Sequence, residues 1–340
     1  MRSLANFVVA LFLVAVTSSG VGAEPLAITP FYTFNQNPLV QIYGLPAAEN
    51  AVVQPAGRAW GLLALDVANS YLEDKNARER LLLDGESERV TLALRYGVAE
   101  NLELGFDLPV VAYNGGGFDG FIEQWHRFFG LPQGNRLTAP DNQLLFLYDR
   151  DGEERLRMDA ATFRMGDLRL TGAWQLYNDR SANPRALALR AGVKLPTGSS
   201  SRLTGSGSTD LALWLTGSDD YQLPGKWGHA TLFGALGGMG LTDGDVLKGQ
   251  QENLVGFGTV GAGWSPRDFI AFKVQFSGHT AFYKDSDLSE LTSPAVQLLF
   301  GGTYAFTPTT TTTLDIALSE DIIVGASPDI ALHLGLGQRF

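Results

Sequence analysis

The last twelve residues, Asp329-Ile330-Ala331-Leu332-His333-Leu334-Gly335-Leu336-Gly337-Gln338-Arg339-Phe340, decide the fold that this sequence predicts. Apolar side chains recur at every second position, which is the period of a β-strand with one apolar and one polar face. The apolar face holds Ile330, Leu332, Leu334, Leu336 and Phe340, and the polar face holds Asp329, His333 and Arg339. Chain ends usually fray, whereas the closing strand of an outer-membrane barrel ends on an aromatic residue. Phe340 is therefore predicted to be the membrane-assembly signal, although Gln338 stands where that signal usually has an apolar residue.

The other end of the chain predicts export. Arg2 precedes a compact apolar run at residues 7–16, and small residues lead to an A-x-A-like cleavage site at Val21-Gly22-Ala23. The run is shorter than the roughly 20 residues that a spanning helix needs. Residues 1–23 are therefore interpreted as a cleaved signal peptide, which leaves a periplasmic, secreted or outer-membrane protein.

Composition narrows the function classes. The chain has no cysteine, which excludes disulfides, a lipoprotein anchor and thiolate metal sites. A net charge of -11 argues against a nucleic-acid partner. Forty glycines and twenty phenylalanines are typical of many strands joined by tight turns.

The N-terminal part of the mature chain differs from the rest. Residues 24–57 contain five prolines, each of which removes a backbone donor and so argues against central strands. The same residues are too apolar for a simple linker. We expect them to form either a plug in the barrel mouth or a periplasmic cap, with the barrel itself at residues 58–340.

Alternation of apolar and polar residues from Arg58 onward predicts an antiparallel transmembrane β-barrel of about 12 strands, within a range of 10–14. Facing stays undecided for residues 58–68, 229–240 and 253–264, where both faces are apolar or rich in glycine. Elsewhere, charged residues fall on the inward face. These candidates for lining the lumen and binding a solute are Arg95, Glu103, Asp107, Asp167, Arg169, Arg190, Lys194 and Lys273.

Residues 114–165 form the longest interruption, as expected of an external loop. Aromatic residues at helical spacing between Phe121 and Phe129 predict a short amphipathic helix, which carries the candidate external residues Trp125 and His126. Two apolar runs at residues 144–148 and 155–158 predict a hairpin beyond the membrane. The charged residues 73–86 are predicted to be another external loop.

Two interpretations of the charged inward positions remain open. Opposite charges on neighbouring strands form a structural ion-pair network, or they line a path for a solute, as charge rings do in channels. Ser277 and His279 share a strand face and are the one candidate pair for a membrane-embedded hydrolase. The four histidines are scattered, so neither a metal site nor a cofactor is expected.

Several stretches resemble a proteobacterial family of exported proteins of unknown function. They are residues 28–31 and 35–38, Phe118 to Glu123 with His126 and residues 129–132, Gly166-Asp167-Leu168 with Lys194 to Gly198, and Glu320-Asp321 with residues 327–329. The resemblance implies an outer-membrane barrel but no catalytic or binding residues.

Together these observations predict an outer-membrane protein whose partners are lipid, lipopolysaccharide, the barrel-assembly machinery and a small polar solute. A narrow or gated channel is the favoured function. A plugged structural or surface-interaction barrel and a hydrolase are the alternatives.

Overall fold

The computed structural model describes residues 26–116, 143–306, 311–323 and 326–340. The predicted signal peptide and the predicted loop helix, with Trp125 and His126, lie outside the described residues. The strands are β1 (Ala59–Lys75), β2 (Glu79–Ala99), β3 (Leu102–Asn114), β4 (Leu145–Arg150), β5 (Glu153–Met158), β6 (Thr162–Met165), β7 (Arg169–Asp179), β8 (Arg185–Lys194), β9 (Asp210–Gln222), β10 (His229–Leu241), β11 (Leu254–Arg267), β12 (Ile270–His279), β13 (Ala295–Ala305), β14 (Thr312–Ile323) and β15 (Ile330–Arg339). A 3₁₀ turn (Ser200–Arg202) and a helix α1 (Ser289–Thr292) lie in loops.

In the described part of the chain, twelve strands close into an antiparallel barrel, formed by β1 to β3 and β7 to β15. Closure comes from pairing of β1 with β15, from Trp60 opposite Arg339 to Asn69 opposite Ile330. The Phe340 N–H donates to the Ala59 carbonyl over 2.9 Å, and the Phe340 ring is exposed on the outside. The alternation that predicted a closing strand is thus confirmed, and each of the twelve described barrel strands has a partner on both sides.

The outer face of the wall is apolar. Leu104, Leu170, Leu213 and Leu236 are each at least 47% exposed, although a water-soluble barrel would hide such side chains. A belt of exposed aromatic side chains surrounds the end where short turns join the strands: Tyr96, Trp174, Tyr177, Tyr221, Trp227, Trp264, Phe269, Tyr304, Phe306 and Phe340. An apolar band bordered by aromatic residues is the surface that a barrel presents to a bilayer. Among the described residues, no helix is long and apolar enough to cross a membrane.

The structure resolves the facing that the sequence left undecided. In β1, Leu62, Ala64 and Asp66 face inward. In β10 and β11, the odd-numbered residues face inward, including Phe233 and Phe257. Glycines make room for neighbouring side chains, since a Cβ added to Gly261 would lie 2.4 Å from the Phe233 ring.

The long-loop end of the barrel extends beyond the apolar band. The predicted hairpin is confirmed as β4 and β5, and its turn contains Asp151 and Gly152, both at positive φ. The prediction of a loop at residues 73–86 is wrong, because β1 continues to Lys75 and β2 begins at Glu79. In place of that loop, β2 pairs with β4, and Leu81 and Leu83 are buried.

The lumen at the long-loop end is filled by an apolar core. Phe146 and Tyr148 from β4 pack with Phe282 and Leu288 from the loop after β12, and with Leu241 from β10. Residues 39–45, which precede the barrel in sequence, join this core from inside. The lumen is therefore apolar at the long-loop end and lined by charged residues toward the end with the short turns.

Candidate functional site

Residues 26–54, called here the inner segment, lie inside the barrel. Its apolar side chains, such as Phe31 and Tyr43, are almost fully buried. Because prolines and an irregular path leave its backbone without a strand partner, its N–H and C=O groups bond to inward-facing side chains. Examples are the Phe31 N–H to Gln275 (2.9 Å), the Gly44 N–H to Asp210 (2.7 Å) and the Val53 N–H to Gln175 (2.9 Å).

Glu49 connects the inner segment to two strands of the wall. Arg95 Nε on β2 and Arg190 Nη1 on β8 both lie 2.9 Å from Glu49 Oε2. The same arginines also pair with wall carboxylates, Arg95 with Asp107 (2.8 Å) and Arg190 with Glu103 (3.0 Å). Burial raises the pKa of the Glu49 carboxyl, but Arg95 and Arg190 more than offset this and hold the pKa below its ordinary value. The two ion pairs therefore favour the ionised form of Glu49 inside the barrel.

A second ion-pair centre surrounds Lys194 on β8. Its ammonium group lies 2.7 Å from Asp167 and 3.3 Å from Asp210, and it donates to the Ile42 carbonyl of the inner segment over 3.3 Å. Asp167 lies two residues before Arg169 and faces the lumen as Arg169 does. Residues 166–168 interrupt the ladder that β3 forms with β6 and β7, opposite Pro109 of β3. Proline has no N–H to continue that ladder.

A third centre lies on the opposite wall. Lys273 on β12 donates to Asp315 over 2.8 Å and to the Thr29 carbonyl of the inner segment over 3.0 Å. Its ammonium group also lies 3.9 Å from the centre of the Phe31 ring, a cation–π contact. Nearby, Asp66 on β1 accepts a hydrogen bond from Thr33 (2.7 Å) and contacts His333 Nδ1 (2.8 Å).

Two small cavities lie beside these contacts. One of about 70 Å³ is lined by Glu49, Arg95 and Arg190 on its charged side and by Tyr32 and Trp60 on its aromatic side. Another of about 20 Å³ is lined by residues that include Arg89, Arg169 and Lys194. Among the described residues, these cavities are pockets between the inner segment and the wall.

All eight predicted lumen residues are buried inside the barrel, at 7% exposure or less: Arg95, Glu103, Asp107, Asp167, Arg169, Arg190, Lys194 and Lys273. Seven of them take part in the ion pairs described above, and Arg169 pairs with Asp107 at 3.6 Å, as the structural interpretation expected. A role in binding a solute stays a prediction. Sequence reasoning did not single out four further charged residues of the lumen: Glu49, Asp66, Arg89 and Asp210.

The candidate hydrolase pair is not arranged for catalysis. Ser277 Oγ lies 3.1 Å from Thr259 Oγ1 and accepts a hydrogen bond from Gln275. His279 Nε2 accepts from Asn35 over 2.8 Å, and its Nδ1 lies 2.8 Å from the Thr280 carbonyl oxygen. Both ring nitrogens are thus engaged by groups other than Ser277. This geometry gives the hydrolase alternative no support.

The closed twelve-stranded wall, its apolar outer band and its aromatic belt define the fold of an outer-membrane β-barrel. An outer-membrane channel from Pseudomonas putida F1 shares this fold, with a TM-score of 0.54 and 13% identity over 86% of this chain and 98% of that one. Other similar structures are the monoaromatic hydrocarbon channel CymD (TM-score 0.35, 12% identity, 94% and 98% coverage) and the transport unit of the autotransporter AIDA-I from Escherichia coli (0.44, 9%, 88% and 95%).

The family model described as "Protein of unknown function (DUF3187)" matches residues 5–340. The chain belongs to this family, which agrees with the resemblance noted from its sequence. No curated relative matches the chain.

Proposed function

We propose that the protein is an outer-membrane channel closed by its own inner segment, and that it admits small polar solutes when this segment leaves the lumen. The observation that carries the proposal is the ion pairing of Glu49. Arg95 and Arg190 project from the wall, yet they share a carboxylate from a part of the chain outside the wall. Removal of the segment leaves a lumen lined by charged groups, which is the type of surface that selects solutes in channels.

The connectivity of the inner segment is compatible with such a movement. The segment precedes β1, and the ladder of the barrel wall does not include it. Toward the turn end, the segment contacts the wall through hydrogen bonds, ion pairs and small apolar clusters, such as Tyr32 with Leu62 and Val53 with Ala173. Its polar groups can exchange their bonds for bonds to water, with net values of about 0.5–1.5 kcal/mol for a neutral pair and about 1.5–3 kcal/mol for a charged one. Withdrawal therefore leaves every barrel strand paired.

A closed structural or surface-interaction barrel is the second candidate. The observation that favours it is the apolar core at the long-loop end, where residues 39–45 pack with side chains from β4 and from the external loops. If the remaining side chains of this core still close the lumen after the inner segment is removed, we propose the external β4–β5 hairpin as the surface that binds a partner.

Single-channel recording distinguishes the two candidates. The mature protein and a variant lacking residues 26–54 are refolded and inserted into planar bilayers. We expect brief or no openings in the mature protein and steady conductance in the variant. Unchanged circular dichroism and heat-modifiable electrophoretic mobility serve as the control for an intact barrel. Silence of an intact variant would contradict the channel and favour the structural barrel.

A further inference from the structure

Four buried arginines line one side of the lumen on β2, β7 and β8, with β3 between β2 and β7: Arg89 and Arg95 on β2, Arg169 on β7 and Arg190 on β8. Each is at most 7% exposed. Phe34 of the inner segment lies among them, with the guanidinium carbons of Arg89 and Arg169 at 5.0 and 5.8 Å from its ring centre. We call these four residues the arginine wall.

Among the described residues, two carboxylates of the wall form ion pairs with these arginines. Glu103 pairs with Arg190, while Asp107 is shared by Arg95 (2.8 Å) and Arg169 (3.6 Å). The neighbouring Asp167 pairs with Lys194. Asp66, on the adjacent strand β1, is engaged by Thr33 and His333.

Glu49 supplies a further negative charge from the inner segment. Even so, no carboxylate among the described residues forms an ion pair with Arg89. Its hydrogen bond within the described structure is a long one (3.4 Å) to the Gln41 carbonyl, and its Nε has no partner there. A buried charge without a counter-ion is costly, so the lumen beside Arg89, where the smaller cavity lies, favours an additional anion.

The position of Glu49 indicates which anion fits. Guanidinium groups match the planar geometry of a carboxylate, and such charge-assisted bonds are strong. Glu49 places one carboxylate oxygen 2.9 Å from both Arg95 and Arg190. Beside it, the cavity of about 70 Å³ combines these arginines with the rings of Tyr32 and Trp60. In this cavity, the arginines could donate hydrogen bonds to the carboxylate of a small organic acid, and the two rings could contact its apolar part.

We infer that Arg95 and Arg190 of the arginine wall form a binding site for the carboxylate group of small organic acids and that Glu49 occupies this site in the closed protein. A free organic acid then competes with Glu49, and its binding favours release of the inner segment. The binding site stands on its own contacts. Its consequence for transport rests on the proposed channel function.

Rescue by an added carboxylate tests the binding site without any need for conductance. Glu49→Ala removes the internal carboxylate, and we expect it to lower the midpoint of thermal unfolding in detergent. Potassium acetate should restore part of this loss, and the midpoint should rise with the logarithm of the acetate concentration above Kd, because a ligand of the folded state stabilises it in proportion to ln(1 + [L]/Kd). Potassium chloride at equal concentration should not do so.

Matched variants make the result specific. Glu49→Gln fills the space with an amide and should not respond to acetate, and Arg190→Gln in the Glu49→Ala background should weaken the rescue. If Glu49→Ala does not fold, the variant lacking residues 26–54 takes its place, since its arginine wall is fully open. Equal effects of acetate and chloride, or an equal response of the unmodified protein, would overturn the inference.

Ion selectivity separates this inference from the proposed function. In a KCl gradient, the variant lacking residues 26–54 should show a reversal potential that favours anions, and Arg89→Gln should move it toward zero. A conducting variant without anion preference would refute selection by the arginine wall while leaving the channel intact. A silent variant that acetate still stabilises would refute the channel and support the binding site.

Discussion

Replacement of Arg95 by Met should destabilise the barrel by about 3–5 kcal/mol, the usual cost of removing one partner from a buried ion pair. Arg95 is 2% exposed and contacts Glu49, Asp107 and the Tyr32 hydroxyl, the last over 2.6 Å. Methionine fills much of the same volume but leaves two buried carboxylates with fewer donors. Urea unfolding of the protein in lipid vesicles measures the difference.

A matched arginine outside the lumen provides the control. Arg78 pairs with Asp151 at 2.8 Å, but both side chains are largely exposed at the long-loop end. Water and salt screen such a pair, so Arg78→Met should leave the unfolding midpoint unchanged. Equal losses for Arg95→Met and Arg78→Met would contradict the role assigned to the buried network.

Leu236→Arg is expected to cost about 2–4 kcal/mol of folding free energy in a bilayer, the range for arginine at the midplane of a barrel's lipid face. Leu236 lies near the middle of β10, faces outward and is 74% exposed. The change removes no contact with the lumen, so its cost should come from the lipid. Equilibrium folding into vesicles measures it.

Trp227→Arg is the control for this second change. Trp227 lies in the turn between β9 and β10, within the aromatic belt, and is also largely exposed. Arginine near the interface costs only about 0–1 kcal/mol. A penalty for Leu236→Arg no larger than that for Trp227→Arg would contradict burial of this band in lipid.

The sequence predicts the wall best where one face is apolar and the other charged. In β8, Arg190 and Lys194 alternate with leucine and valine, and the structure places both cations inside. In β1 the pattern does not indicate which face points into the lumen, because inward Leu62 and outward Leu63 are both apolar. Leu62 faces inward because Tyr32 and Ala47 of the inner segment pack against it.

Partners distant in sequence explain the remaining failures. Residues 79–84 look like a charged loop, yet they form a strand because β4, more than sixty residues away, pairs with them. Glu49 lies in a proline-rich stretch without periodicity, so no pattern aims its carboxylate at Arg95 and Arg190. Its role follows from the path of the inner segment through the barrel, which local sequence does not encode.

A reversible disulfide between the inner segment and the wall tests directly whether this segment closes the lumen. The chain has no cysteine, so Thr33→Cys with Asp66→Cys introduces a single possible disulfide between the segment and β1. In the native protein, Thr33 Oγ1 lies 2.7 Å from Asp66 Oδ1. The two single-cysteine variants report the effect of each substitution alone.

Conductance of the double variant is recorded in one bilayer before and after reduction. We expect no conductance in the oxidised protein and channel openings once the disulfide is reduced. The conductance of the two single-cysteine variants should not change on reduction. Equal, steady conductance in the oxidised and reduced states would show that solutes pass with the segment in place, and would contradict the account.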